Sequence, residues 1–86
     1  MYVILVYDMD TKRVTKMLKL CRKYLNWIQN SVFEGEMTEV QLKELKHKAN
    51  LIMGDEDSLI IFKNRDIKWL DKEIVGREKS STSNFL

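Results

Sequence analysis

A chain of 86 residues is long enough for one domain and too short for two. An apolar share of 44%, no proline and only 3 glycines exclude disordered, collagen-like and low-complexity classes. The net charge of +2 excludes little by itself, because the charge is unevenly placed. Up to residue 27, Lys12, Arg13, Lys16, Lys19, Arg22 and Lys23 are set against only Asp8 and Asp10. From 28 to 62, Glu34, Glu36, Glu39, Glu44, Asp55, Glu56 and Asp57 outweigh Lys43, Lys46 and Lys48. A nearly neutral total thus conceals a basic N-terminal third, suited to an anionic partner.

Tyr2 to Tyr7 is an unbroken β-branched, aliphatic and aromatic run of strand length, closed by Asp8. It lacks a basic flank and is too short for a signal peptide or a membrane span, so a cytoplasmic protein is expected. Asp10 or Thr11 can cap a helix expected over 11–25. Val14, Met17, Leu18, Cys21 and Leu25 form its apolar stripe, and Lys12, Lys16, Lys19 and Lys23 a ridge opposite. Cys21 is the only cysteine, which excludes an intrachain disulfide, and its position predicts a buried thiol.

After Trp27 the alternation breaks at Gln29, Asn30 and Ser31, which predicts a tight hairpin turning at Asn30-Ser31, with Val32–Met37 as its second strand. Thr38 and Gln41 match a capping box for a second helix over 39–53, ended by Gly54. Ser58 to Lys63 reads as a dense strand, and a last strand is expected within 67–76. The domain is placed at 1–78, and the polar tail 79–86, closing on Phe85-Leu86, is expected to dock on a partner subunit.

The order predicts an α+β protein. Right-handed crossovers give a ferredoxin-like βαββαβ antiparallel sheet with both helices on one face, plus an extra C-terminal strand. Such a sheet facing water should alternate apolar with polar residues. The first strand instead carries Val3, Leu5 and Tyr7 on one face and Tyr2, Ile4 and Val6 on the other. A homodimer joined sheet to sheet is therefore expected.

Asp8 is the candidate centre. As a turn residue it would accept backbone N–H bonds; as a metal ligand it would need help, since one carboxylate per chain is few. A two-fold axis near the strand end would bring two copies together, and Mg²⁺ takes one or two carboxylates with water and phosphate completing its shell. The lysine ridge has two readings as well, a solvated face or a track for phosphates. Like charges at i,i+4 cost a few tenths of a kcal/mol, which a phosphate backbone would relieve. His47 reads as a surface residue. Trp27 and Trp69 read as core or interface residues. No P-loop, dinucleotide or nucleophile-elbow motif is present.

The stretch Trp27-Ile28-Gln29-Asn30-Ser31-Val32-Phe33-Glu34-Gly35 resembles the Q-x-S-V-F-E-G signature of CRISPR-associated protein two. Tyr7-Asp8, Asp57-Ser58 and Ile74-Val75-Gly76 extend the resemblance over nearly the whole chain. The resemblance implies a homodimer that acts in spacer acquisition, binds DNA or RNA and bridges the CRISPR integrase. It also implies a Mg²⁺-dependent endonuclease acting on single-stranded RNA or double-stranded DNA, with the metal shared between two Asp8 side chains. On the family pattern Asp8 matches the metal-binding acid, and Tyr7, Arg13, Ser31 and Phe33 match positions around the site. Lys12, Arg13, Lys16, Lys19 and Lys23 would then hold nucleic acid. Trp27 and Asn30 depart from the pattern, standing where many members have an arginine and an aromatic residue. Three alternatives remain open: a catalytically inactive DNA-binding scaffold of the same complex, a toxin-like ribonuclease of the virulence-associated protein D type, or a ferredoxin-like regulatory domain.

Overall fold

The computed structural model describes residues 1–66, 68 and 70–79. The elements follow the order β1 (Tyr2–Asp8), α1 (Thr11–Arg22), β2 (Asn26–Gln29), β3 (Val32–Glu36), α2 (Glu39–Ile52) and β4 (Ser58–Asn64). The four strands form one antiparallel sheet in the order β2-β3-β1-β4, so β1 is central. This is the ferredoxin-like arrangement expected from the sequence. No helix among the described residues is long and apolar enough to cross a membrane.

One face of β1 builds the core. Val3 and Leu5 are fully buried and Tyr7 nearly so, packed in one cluster with Phe33 of β3, Met17, Leu20 and Cys21 of α1, and Leu42, Leu45 and Ala49 of α2. The Cys21 thiol, as expected, is fully buried, and burial pushes its pKa up to about 12. It is inert packing material in the core. The other face of β1, with Tyr2, Ile4 and Val6, is only half covered. On neighbouring β4, Ile60 and Phe62 are 52% and 59% exposed. The two-sided apolar pattern in the sequence thus corresponds to a sheet with one packed face and one largely open one.

Local chemistry explains the element ends. Thr38 caps α2 through the reciprocal bonds of a capping box with Gln41. Asp10 caps α1, its side chain accepting from the Lys12 N–H at 3.1 Å. α2 ends with Met53 as its C-cap directly before Gly54, as expected, but Gly54 has no positive φ and serves a further purpose. A Cβ there would lie 2.7 Å from Nη2 of Arg13, so the glycine makes room for that guanidinium.

The Arg13 guanidinium grips Asp57 with Nε at 2.6 Å from Oδ2 and Nη2 at 3.2 Å from Oδ1. The same carboxylate accepts from the Asp10 N–H at 3.0 Å and the Gly54 N–H at 2.8 Å. Only 3% of the Asp57 side chain is exposed. One carboxylate therefore ties the β1–α1 connection to the α2–β4 connection. The Arg13 bond first, then the N–H groups of Gly54 and Asp10, hold the Asp57 carboxyl well below the usual carboxylate range.

The C-terminal region corrects one expectation. None of the described residues of 67–76 is in a strand. Lys72 instead pairs with Glu34 on the half-covered face of β3, and Lys72–Val75 line a cavity of about 300 Å³ with Ile4, Ile28, Gln29, Val32 and Glu34. The described part of this segment lies across the face of its own sheet and pairs with neither of the sheet's edge strands, β2 and β4. Trp69 and, apart from Lys79, the expected docking tail 79–86 lie outside the described residues.

Arg13→Ala, Asp57→Ala and Gly54→Ala should each lower the melting temperature, and any two combined should cost much less than their sum, because they break one unit. Thermal melts of singles and doubles at pH 7 test this. A depressed carboxyl stabilises the fold above its unfolded pKa and ceases to do so as pH falls through its folded value. The gap in melting temperature between wild type and Arg13→Ala should therefore be fully open at neutral pH. It should narrow on acidification below about pH 4.

Candidate metal and nucleic-acid site

Asp8 ends β1, paired with Ser58 of β4, and shares the open face with Tyr2, Ile4 and Val6. Its carboxylate is exposed and makes no hydrogen bond or ion pair among the described residues. The turn and cap duties are performed by Asp10 and Asp57. This removes the turn-residue reading of Asp8 and leaves a free acid anchored by a central strand.

Two shallow cavities flank it. One, of about 350 Å³, is lined by Tyr7, Asp8, Met9, Val14, Asn30 and Ser31. The Ser31 carbonyl accepts from the Tyr7 N–H at 3.2 Å, which joins the β2–β3 turn to the end of β1. The structure thus brings Tyr7, Asp8 and Ser31 together, as expected from the sequence. The other cavity is acidic, lined by Asp8, Met9, Asp10, Arg13, Asp55, Glu56 and Asp57.

Tyr7 is nearly buried, its ring stacked on Phe33 at 6.0 Å between centroids. Burial first, then the Cys21 thiol, raises its hydroxyl above the ordinary phenol value, against a smaller lowering by Arg22. The phenol therefore stays protonated at neutral pH and can donate a hydrogen bond but not act as a base. Phe33, which the resemblance matches to a position around the site, is fully buried and supports the Tyr7 ring from within the core. Arg13 binds Asp57 through Nε and Nη2, which leaves Nη1 as the part of its guanidinium that could meet a phosphate while the clamp holds.

The ridge stands as expected: Lys12, Lys16, Lys19 and Lys23 are all exposed. None of their ammonium groups has a hydrogen bond or ion pair among the described residues. At 1.5 Å per residue, Lys12 to Lys23 spans roughly 16 Å of helix surface. His47 is exposed and Trp27 half-buried. Among the described residues no group of three or more His, Cys, Asp or Glu side chains could hold a metal ion. A single chain therefore supplies at most one end of a metal site, and Asp8, a hard oxygen donor without a competing partner, fits that part.

The sequence reading missed Asp57 as the organiser of the site's surroundings. An aspartate three residues after Gly54 is a faint signal of a local side-chain-to-backbone bond, but nothing in sequence pairs it with Arg13, 44 residues earlier. It also missed the surface triad in which the Tyr24 hydroxyl donates to Glu44 at 2.5 Å and Lys48 donates to both. Only the Glu44–Lys48 i,i+4 spacing was visible there.

Residues 1–72 match the family model described as CRISPR associated protein Cas2. A protein named CRISPR-associated endoribonuclease Cas2 from Dictyoglomus turgidum is 45% identical, with the alignment covering all of both chains. Another of that name from Methanosarcina acetivorans is 42% identical with the same coverage. A solved structure described as that of cas2 superimposes with a TM-score of 0.82 at 44% identity, covering 95% of this chain and 93% of that one. Streptococcus pyogenes Cas2, solved at pH 6.5, gives 0.74 at 28% identity, covering 87% and 100%. The family model over residues 1–72, together with relatives more than 40% identical along the whole chain, establishes that this chain belongs to the CRISPR-associated protein Cas2 family.

Proposed function

We propose that this chain is a CRISPR adaptation protein that binds nucleic acid, bridges the CRISPR integrase and cleaves phosphodiesters as a Mg²⁺-dependent endonuclease. The observation that carries the catalytic reading is the free, exposed Asp8 carboxylate at the end of the central strand. Relatives named endoribonuclease support a nuclease, and the single-acid geometry supports a site completed by a second subunit. Docking the open sheet faces of two copies would cover Ile60 and Phe62 and place both Asp8 residues on the shared side of the dimer.

Magnesium held between two Asp8 side chains would supply positive charge to a phosphate oxygen and favour ionisation of a bound water. Asp8 supplies hard oxygen ligation. The Tyr7 ring, buried in the core, backs the strand end that carries Asp8, and the Ser31 hydroxyl can donate or accept in the cavity beside it. Lys12, Lys16, Lys19 and Lys23 neutralise phosphates along α1 in a sequence-independent manner. Asp8 without a cation would repel the strand that the ridge attracts, which is why a metal fits between them.

One observation favours the scaffold reading. Arg13, the arginine nearest in sequence to Asp8, is bound to Asp57, so the site has no fully free guanidinium from this position. A scaffold would bind DNA and integrase without cleaving either nucleic acid.

Asp8→Asn should reduce Mg²⁺-dependent cleavage by on the order of 10²–10³ while leaving binding intact or slightly tighter. Equal cleavage by both proteins rules out Asp8 as the metal ligand, and binding without cleavage by wild type selects the scaffold. Lys16→Ala and Lys19→Ala should each lower the slope of log affinity for duplex DNA against log salt by about 0.9. Phe62→Glu should convert the dimer to a folded monomer in light scattering and abolish cleavage with it.

A further inference from the structure

The turn between β2 and β3 carries a feature that the site described above does not use. Asn30 is the only non-glycine residue with positive φ among the described residues, at 45°. A positive φ is adopted most easily by glycine, so the backbone itself does not require a carboxamide here. Asparagine is one of the few other residues that accept this conformation, and here it puts an amide on the rim of the Asp8 cavity. The side chain is exposed and makes no hydrogen bond among the described residues.

The turn is held firmly from one side. The Trp27 indole Nε1 donates to the Asn30 carbonyl at 3.0 Å. The Arg22 guanidinium carbon lies 6.0 Å from the centre of the same indole ring, where a cation is attracted to the aromatic face. A bulge between Trp27 and Gln29 sharpens the twist of β2 just before the turn. An unpartnered carboxamide is thus presented at a fixed place beside Asp8, Tyr7 and Ser31.

We infer that Asn30 is a substrate-contacting residue that reads the sugar of a bound strand, with Trp27 as its positioning residue. The inference rests on the proposal that the Asp8 cavity receives a phosphodiester. A phosphate oxygen only accepts hydrogen bonds, but a ribose 2′-hydroxyl both donates and accepts, as does a carboxamide. The sugar is the group adjoining the phosphate, so a strand with its phosphate at Asp8 brings a sugar to the cavity rim. Asn30 then favours ribose over deoxyribose.

The test is fluorescence anisotropy of the intact dimer with matched single-stranded RNA and DNA in Mg²⁺, read before cleavage sets in, so that the phosphate is held at Asp8 as the proposal requires. Wild type should bind RNA more tightly than DNA. Asn30→Gly, which suits the positive φ, should keep the melting temperature, weaken RNA binding by about 5–10-fold and leave DNA binding unchanged. Trp27→Phe, which removes the indole N–H, should shift the RNA-to-DNA ratio in the same direction by a smaller factor. A merely structural role would move both affinities together. Equal RNA and DNA affinities in wild type, no binding of either, or an unchanged ratio in Asn30→Gly overturns the inference. Parallel cleavage assays with Asp8→Asn keep the two readings apart. Loss of RNA preference in Asn30→Gly with full cleavage by Asp8→Asn would fail the metal reading alone.

Discussion

The geometry around the candidate site depends on one carboxylate that takes no part in its chemistry. Asp57 accepts two bonds from the Arg13 guanidinium and two from backbone N–H groups, and so joins the connection after β1 to the connection before β4. Those two strands are hydrogen-bonded neighbours, and Asp8 stands at the end of one, opposite Ser58 of the other. Without the clamp the residues following Asp8 would be an exposed loop without a fixed exit. With it, the chain leaves β1 in a set direction and α1 starts three residues after the acid. A nearly buried aspartate with four donors is stable because each lone pair is met, which is the condition under which burying a charge is tolerated.

The same clamp sets the division of labour among the acids. Asp10 spends its side chain on the α1 cap and Asp57 on the clamp, while Asp8 is left free. An acid that does nothing for the fold, fixed at the end of the central strand, is the kind of group a metal ion can recruit. The core face supports it from beneath through Phe33 and Tyr7, and the open face is where a second copy could supply the missing donor.

Much of this was legible in the sequence, and the reasons are local. Periodicity places β1, α1, α2 and β4, because apolar residues must recur with the period of the element that buries them. The capping box at Thr38 and the turn at Asn30 are short-range chemistry, visible within four residues. The open sheet face was visible in the two-sided apolar run of β1, since a half-solvated strand would alternate. What stayed hidden depends on distant partners. Arg13 looked like a phosphate ligand because nothing in its neighbourhood shows that Asp57 holds it. Gly54 looked like a helix end alone because the guanidinium that needs its missing Cβ comes from α1. Phe33 was placed among the site residues by family pattern, whereas its burial follows from pairing with Leu5 on the core face. The strand expected within 67–76 is replaced by a segment across the open face, where Lys72 pairs with Glu34, a distant partner that the local pattern does not show.

The central claim is that Asp8 is half of a metal site completed across a two-fold axis. The direct measurement is a Mn²⁺ titration followed by electron paramagnetic resonance, with wild type and Asp8→Asn compared at equal concentration. The account predicts one tightly held ion per two chains in wild type and none in Asp8→Asn. One ion per chain, or binding that Asp8→Asn leaves unchanged, would contradict it.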